Sequence, residues 1–363
     1  MPSQSLWSRA AVMLAALGWE ADGVQIFKAA ALAGAHHPPL NPDVPALLVI
    51  DGAPDWPALQ RVLRNQYPPT HSLSLLAPEG MVHSVPLQAL GEVQGEWLAL
   101  GIAPLPYPGS FEHFQEIIAH LRAPEGCPWD RKQTHGSLRP YLLEETYEVL
   151  DALDHGDATA LREELGDLLL QIVLHSQIAV EAGEFSMADV IAAIVEKIVR
   201  RHPHVWGSVD VSDEQAVKVN WDRLKQAEKT ENGASGSRLD GVSRSLPALS
   251  QAFSYQDRAA RVRFDWETIE PVIAKVHEEI AELEAAQTPA EREAEVGDLL
   301  FAVVNWARWL GVEPESALRA TNARFYRRFR YIEQQAAAQG RPLDELSLAE
   351  MDALWEAAKD NGL

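Results

Sequence analysis

The chain has 363 residues, of which 47% are hydrophobic, and a formal net charge of −22. This length is enough for two or three domains with substantial cores. The acidic charge argues against sequence-independent binding of nucleic acid and against binding to an anionic membrane surface. It also indicates that a phosphate-bearing ligand would be recruited by a metal. Cys127 is the only cysteine, which excludes an intrachain disulfide and a thiolate metal cluster.

Residues 1–107 differ in pattern from the rest of the chain. Two strand-like runs, Ala46–Ile50 and Ser72–Leu76, flank a helical pattern from Trp56 to Asn65. The stretch from Ala10 to Gly34 is rich in alanine and leucine, but charged residues interrupt it, so we expect neither a signal peptide nor a membrane span. The pattern predicts a small α/β segment in a soluble, cytoplasmic protein.

Five acidic residues at helical spacing lie between Tyr141 and Gln177, inside two strongly apolar segments. Residues three and four apart share one face of a helix, so each segment presents its carboxylates together. They are Glu144, Glu145 and Glu148 in the first segment, and Glu164 and Asp167 in the second. The short polar connection at 154–157 predicts an antiparallel helical hairpin.

Four carboxylates that converge across such a hairpin would repel one another unless cations lay among them. All-carboxylate ligation favours a hard divalent ion, Mg²⁺ with Mn²⁺ as a substitute, over zinc or copper. A ferritin-like di-iron site would need histidine three residues after a glutamate, where this chain has Glu148 and Asp167. One hairpin alone leaves open the alternative of a solvated helix face with ion pairs.

The same acidic pattern occurs a second time. The second set comprises Glu278, Glu279, Glu282, Glu295 and Asp298. The triplet follows its counterpart by 134 residues (279 − 145 = 134), and the pair follows by 131 residues (295 − 164 = 131). We therefore predict a mainly α fold with two homologous all-helical units, whose apolar faces complete four-helix bundles by homodimerisation.

Further motifs flank the first hairpin. Residues 121–130 read Leu-Arg-Ala-Pro-Glu-Gly-Cys-Pro-Trp-Asp, and residues 200–206 read Arg-Arg-His-Pro-His-Val-Trp. With Glu-Glu-x-x-Glu and Glu-x-x-Asp between them, these motifs resemble the MazG family of nucleoside triphosphate pyrophosphohydrolases over about two thirds of the chain. The resemblance implies a metal-dependent hydrolase, in which a metal-activated water splits an NTP or dNTP into the monophosphate and pyrophosphate.

The resemblance also implies roles for the acidic side chains. The metal ligands would be Glu145, Glu148, Glu164 and Asp167 in the first unit and Glu279, Glu282, Glu295 and Asp298 in the second. The catalytic set would be Glu144, Glu145, Glu278 and Glu279, with Glu144 and Glu278 orienting the water or a second ion. His202 and His204 have no further Cys or His at ligand spacing, so we expect no metal there.

Basic and aromatic side chains after the acidic hairpins are candidates for binding the nucleotide, because basic pairs can hold phosphates and tryptophan can stack on a base. They are Lys197, Arg201, Trp221 and Lys225 in the first unit and Arg324, Arg328, Trp355 and Lys359 in the second. Lys275, which precedes the second acidic triplet, is a further candidate. Basic pairs on helices are usually solvated, and helical tryptophans are usually core residues, so those alternatives stay open. The second unit has Ala294, Ser254 and Arg324 where the family commonly has an acidic residue, lysine and lysine, which leaves open whether it is as active as the first.

The resemblance to family members with two such units favours the C-terminal unit as the main catalyst. That unit carries Asn305, Arg324, Arg328, Trp355 and Lys359 in addition to its acidic residues.

The predicted organisation has four parts. Residues 1–107 resemble part of a tetrapyrrole methylase at Tyr67–His71 and Val85–Leu90, but no Gly-rich turn for S-adenosylmethionine is evident, so this segment is expected to be non-catalytic. The remaining parts are a first MazG-like unit at 108–230, a flexible linker at 231–245 and a second MazG-like unit at 246–363.

The expected partners are nucleoside triphosphates and a second copy of the chain. We expect the protein to bind neither a membrane nor nucleic acid. The alternative function is a nucleotide-binding regulatory protein without turnover.

Overall fold

A computed structural model describes residues 6–19, 23–210, 213, 217, 220–221 and 237–363. The described part of the chain is mainly helical and has a small sheet near the N-terminus, in agreement with the predicted mainly α fold. It divides into two compact units, residues 1–194 and 195–363.

The N-terminal sheet has five strands in the order β1-β2-β5-β3-β4. The strands are β1 (Gln25–Lys28), β2 (Ala46–Val49), β3 (Ser72–Leu76), β4 (Val82–Pro86) and β5 (Ala99–Ile102), accompanied by helices α1 (Leu6–Leu17), α2 (Ala29–Ala33) and α3 (Trp56–Leu63). β1 and β2 are parallel, and the other neighbours are antiparallel. Side chains of a strand alternate between faces, so Leu48 packs in one core cluster with Leu59 of α3, and Leu47 packs in another with Leu14 of α1. Both faces of the sheet are therefore covered.

The rest of the first unit begins with a helix tied to this sheet segment. The helices that follow the sheet in this unit are α4 (Phe111–Arg122), α5 (His135–His155) and α6 (Ala158–Ala182). α7 (Met187–Arg201) crosses the boundary between the two compact units, and α8 (Pro203–Trp206) lies beyond it. Ser110 caps α4 and donates its hydroxyl to Asp43 at 2.5 Å. α5 and α6 form the predicted hairpin: α5 ends at Gly156 in the left-handed region (φ 66°), and Asp157 caps α6 by accepting from the Thr159 N–H.

The second compact unit contains a similar hairpin. Its helices are α9 (Ala248–Ala260), α10 (Glu270–Ala285), α11 (Pro289–Trp309), α12 (Pro314–Ala338) and α13 (Leu348–Asp360). Thr288 and Glu291 form a capping box at the start of α11, in which each side chain accepts from the other residue's backbone N–H. The cap ends the short connection from α10 and sets the first turn of α11, which places the acidic residues of the two helices side by side.

Both hairpins expose apolar stripes in the single chain. Residues spaced i, i+4, i+7 share a helix face, and two such sets are exposed. They are Leu165, Leu169 and Ile172 on α6, and Val296, Leu300 and Val303 on α11. By contrast, the sheet segment buries most of its large apolar side chains in two core clusters, although Val12, Met81 and Val82 are exposed.

Among the described residues, one helix, α6, is long and apolar enough to cross a membrane by those criteria alone, with a mean hydropathy of 1.2 in its most apolar window. α6 also carries the acidic residues Glu164 and Asp167 and packs against α5. Core helices of soluble proteins pass the same test, so a single helix of this kind is weak support for a membrane span.

Candidate functional site

The first acidic cluster forms where α5 and α6 meet. Glu145 comes from α5, and Glu164 and Asp167 come from α6. One carboxylate oxygen of each lies within 4.8 Å of the others. Partial burial and the neighbouring carboxylates raise the pKa values of both Glu145 and Glu164.

The second acidic cluster forms in the same way where α10 and α11 meet. Glu279 of α10 and Glu295 and Asp298 of α11 have carboxylate oxygens within 4.8 Å of one another. Glu279 is only 4% exposed. Partial burial, Glu282, Asp298 and Glu279 raise the pKa of Glu295, in that order of importance. In both clusters, the sequence therefore identified three side chains that converge from two helices.

The fourth predicted ligand of each set, Glu148 or Glu282, lies outside these groups of three but raises the pKa of carboxyls within them. Glu148 lies close enough to the first cluster to raise the pKa values of both Glu145 and Glu164. Glu282 is the largest carboxylate contribution to the raised pKa of Glu295. The side chains of Glu144 and Glu278 are exposed beside their clusters.

A carboxyl whose pKa is higher in the folded than in the unfolded chain stabilises the fold at low pH. That contribution is lost as the pH rises through the folded pKa, because the folded chain must then carry a charge that its surroundings oppose. At neutral pH, the carboxyls of Glu145, Glu164 and Glu295 are therefore each a cost that a bound cation would relieve.

Lys275 lies against the second cluster. Its Nζ is 2.7 Å from Glu278 Oε1 and 2.8 Å from Glu279 Oε1. These hydrogen bonds raise the pKa of Lys275. The sequence named Lys275 as a phosphate-binding candidate, and in this structure its ammonium group is the counter-charge of the buried Glu279.

The candidates for base and phosphate binding in the second unit contact one another. The Arg328 guanidinium carbon lies 5.4 Å from the centre of the Trp355 ring, within range of a cation–π contact. Phe325, which the sequence did not single out, packs on Trp355 with ring centres 5.3 Å apart. Arg328 also donates from Nε to the backbone carbonyl of Leu363 at 2.7 Å.

Two other candidates in this unit have local partners. Arg324 on α12 donates to Thr321 Oγ1 at 2.8 Å, and Lys359 on α13 forms an ion pair with Glu356 at 2.6 Å. Both side chains lie on exposed faces, so either partner can be exchanged for a ligand at small cost.

The corresponding candidates near the end of α7 are partly described. The Arg201 guanidinium carbon lies 5.6 Å from the centre of the Trp221 ring, and His202 meets the same ring edge-on at 4.8 Å. Lys197 is exposed on α7. Lys225 lies outside the described residues. An arginine over a tryptophan thus occurs in both sets of candidates.

Two polar groups near the hairpins were not recognised from the sequence. Asp265 accepts from Arg308 at 2.7 Å and from the Trp309 indole at 3.1 Å. On the first hairpin, His135 and His175 face each other with their Nδ1 atoms 2.7 Å apart, and burial followed by His135 lowers the pKa of His175. Both groups join residues at least 40 positions apart, so no local spacing signals them.

The donor sets fit a hard divalent cation. Each cluster offers three carboxylates from two helices and no imidazole or thiolate among the described residues, which is the chemistry that Mg²⁺ and Mn²⁺ prefer. Desolvation and the neighbouring carboxylates raise the pKa values of Glu145, Glu164 and Glu295, and a bound cation would offset both effects. The geometry therefore defines two carboxylate-rich sites, the second of which has the ammonium group of Lys275 against it.

Comparison with known proteins agrees with this chemistry. The family model of the MazG nucleotide pyrophosphohydrolase domain matches residues 133–206, which include the whole first acidic cluster. A nucleoside triphosphate pyrophosphohydrolase/pyrophosphatase MazG from Thermotoga maritima is 46% identical over 250 residues, covering 69% of this chain and 95% of that protein. The nucleoside triphosphate pyrophosphohydrolase of Escherichia coli is 46% identical over 249 residues, covering 67% of this chain and 94% of that protein.

A third relative, the uncharacterized protein YabN of Bacillus subtilis, is 50% identical over 254 residues, which span 69% of this chain and 52% of YabN. The matched family model describes a class of hydrolases that act on nucleotides. The chain belongs to the MazG family.

Proposed function

We propose that this protein is a metal-dependent nucleoside triphosphate pyrophosphohydrolase, which converts an NTP or dNTP and water into the monophosphate and pyrophosphate. The convergence of three carboxylates within 4.8 Å across a helical hairpin carries the proposal. Membership of the MazG family and relatives named for this activity support it.

We propose Mg²⁺, with Mn²⁺ as a substitute, as the ion held by Glu279, Glu295 and Asp298, with Glu282 beside them, and by the corresponding residues of the first cluster. The bound ion would supply positive charge against the phosphate oxygens and acidify the attacking water. Glu278 is exposed beside Glu279 and can accept the proton that this water loses.

The remaining candidates would hold the nucleotide. Arg324 and Arg328 are one turn apart on α12 and can both reach a triphosphate, and Lys359 is a further cation on α13. Trp355 offers an aromatic surface for the base, and its contact with Arg328 places the base-binding and phosphate-binding candidates together.

The products of the reaction test the proposal. Incubation of the protein with Mg²⁺ and each common NTP and dNTP is expected to give monophosphate and pyrophosphate in equal amounts, measured by ³¹P NMR. Diphosphate with inorganic phosphate would contradict the proposed bond cleavage. Saturable nucleotide binding without any turnover would favour the regulatory alternative.

We further propose that the two hairpins belong to two MazG-like units, at 108–230 and 246–363, and that the N-terminal sheet segment is a non-catalytic relic of a tetrapyrrole methylase. The matching acidic clusters and their arginine–tryptophan pairs support the first statement. The exposed apolar stripes on α6 and α11 support completion of each bundle by a second copy of the chain.

The homodimer predicts a clear result in solution. Light scattering at micromolar concentration is expected to give twice the chain mass. Leu169→Arg should move the mass toward the monomer, because it places a charge in the apolar stripe of α6. The matched control is Arg162→Gln, on an exposed position of the same helix, which should leave the dimer intact. A stable monomer for the unmodified chain would refute the proposal.

A further inference from the structure

The two acidic clusters differ in one charge. Lys275 precedes Glu279 by four residues on α10, which places its ammonium 2.8 Å from that carboxylate and 2.7 Å from Glu278. The residue four positions before Glu145 on α5 is Tyr141. The Tyr141 ring packs edge-on against Trp129, with ring centres 6.0 Å apart, and supplies no positive charge.

The additional positive charge of Lys275 contacts Glu279, the most buried carboxylate of the two clusters. Glu279 is 4% exposed, and a carboxylate at that depth needs a partner of opposite charge. Lys275 meets that need without a metal. Among the residues that the structure describes, no lysine or arginine forms an ion pair with Glu145, Glu164 or Asp167 of the first cluster, in contrast to Lys275 at the second.

We infer that Lys275 competes with the divalent ion for Glu279, so that the second cluster binds the free ion more weakly than the first cluster does. The inference rests on the proposed function, because it assumes that both clusters are metal sites. Its physical cause is electrostatic: the ion must displace an ammonium group from a carboxylate oxygen, or bind beside a like charge about 3–4 Å away.

The competition has a consequence for what the second cluster accepts. Mg²⁺ is usually held in nucleotide-binding enzymes by one or two carboxylates together with substrate phosphates. Lys275 is partly exposed on a flexible stem, so it can leave Glu279 when another anion is offered. The second cluster is therefore selective for the ion that arrives with a triphosphate, whereas the first cluster holds the free ion.

Binding of Mn²⁺ to the full chain without nucleotide tests this inference, because EPR of free Mn²⁺ measures occupancy without any turnover. Glu164→Gln with Asp167→Asn disables the first cluster and isolates the second. On that background, Lys275→Met is expected to tighten Mn²⁺ binding about tenfold or more, since it removes the competing charge. Lys275→Arg, which keeps the charge, should stay within about twofold of the parent.

The reciprocal experiment does not depend on how Lys275 variants fold. Glu295→Gln with Asp298→Asn disables the second cluster and isolates the first. Tyr141→Lys should then weaken Mn²⁺ binding about tenfold relative to Tyr141→Met. Both substitutions remove the ring contact with Trp129, so only the charge distinguishes them. Arg261→Gln, which removes a cation from the exposed pair with Asp257, controls for general changes in net charge.

The outcomes separate this inference from the proposed function. Tight Mn²⁺ binding that is equal in the two isolated clusters, and that does not respond to Lys275→Met or Tyr141→Lys, would overturn the inference and leave the metal sites standing. Absence of saturable Mn²⁺ binding in every variant would overturn both. Opposite shifts in the two reciprocal experiments would establish Lys275 as the competing cation.

Discussion

Glu279→Gln is expected to lower kcat by at least about 100-fold, equivalent to roughly 3 kcal/mol of transition-state stabilisation. The substitution removes one ligand charge at nearly constant volume from the most buried position of the second cluster. Glu145→Gln makes the same change in the first cluster, and we expect it to leave most of the turnover intact. Initial rates of pyrophosphate release at saturating nucleotide and Mg²⁺ measure both effects.

The expectation that the C-terminal unit is the main catalyst rests on the resemblance to family members with two such units. It also rests on Lys275, which lies against the second cluster, and on the cations and tryptophan carried by α12 and α13. The matched control is Glu284→Gln, on an exposed position of the same helix, which should keep the parental rate. If Glu279→Gln leaves the rate intact and Glu145→Gln abolishes it, the first unit is the catalyst. Equal halving would indicate two independent sites.

Removal of divalent cations is the second large effect. Excess EDTA is expected to lower turnover by at least about 100-fold, because the carboxylates would then face the triphosphate without a neutralising ion. Mg²⁺ or Mn²⁺ should restore the rate. Ca²⁺ should restore it poorly, since its longer and looser coordination places water and phosphate less well. The measurement is the rate of pyrophosphate release as each metal is added back to the chelated protein.

Circular dichroism of the chelated protein provides the control, because the helical signal should persist and show that the chain is still folded. Full turnover in excess chelator would end the proposal that these carboxylates act through a metal. If Ca²⁺ restored the rate as well as Mg²⁺ does, the reaction would still depend on a metal, but its coordination geometry would not explain the choice of ion.

The helical hairpins were predictable because their signals are local. The polar connection at 154–157 fixes the end of α5 through Gly156, and Thr288 with Glu291 fixes the start of α11. Only two of the five strands, β2 and β3, were anticipated. β1, β4 and β5 are as long as the two strands that were anticipated. The order β1-β2-β5-β3-β4 places β5 between β2 and β3, both distant from it in the chain, and no periodicity reveals that pairing.

The carboxylates of the site were likewise predictable, since i, i+3 spacing on a helix determines which side chains share a face. The contacts that the basic and aromatic side chains make were not predictable from the sequence. Lys275 forms an ion pair with Glu279, and Phe325 packs on Trp355, because of side-chain rotamers and helix packing. Asp265 and Arg308 are 43 residues apart, so only the tertiary structure brings them together.

The sheet segment packs two buried core clusters, whereas α6 and α11 keep apolar stripes exposed, so the parts of this chain differ in stability. Amides of β2 and β5, each hydrogen-bonded to strands on both sides, can exchange with deuterium only when the whole sheet opens, whereas amides of α10 and α11 exchange through local unfolding of single helices. Thermal denaturation of the isolated chain is accordingly not two-state, and a single midpoint does not describe it. Protease would cut the helical parts first and leave the sheet as the resistant fragment.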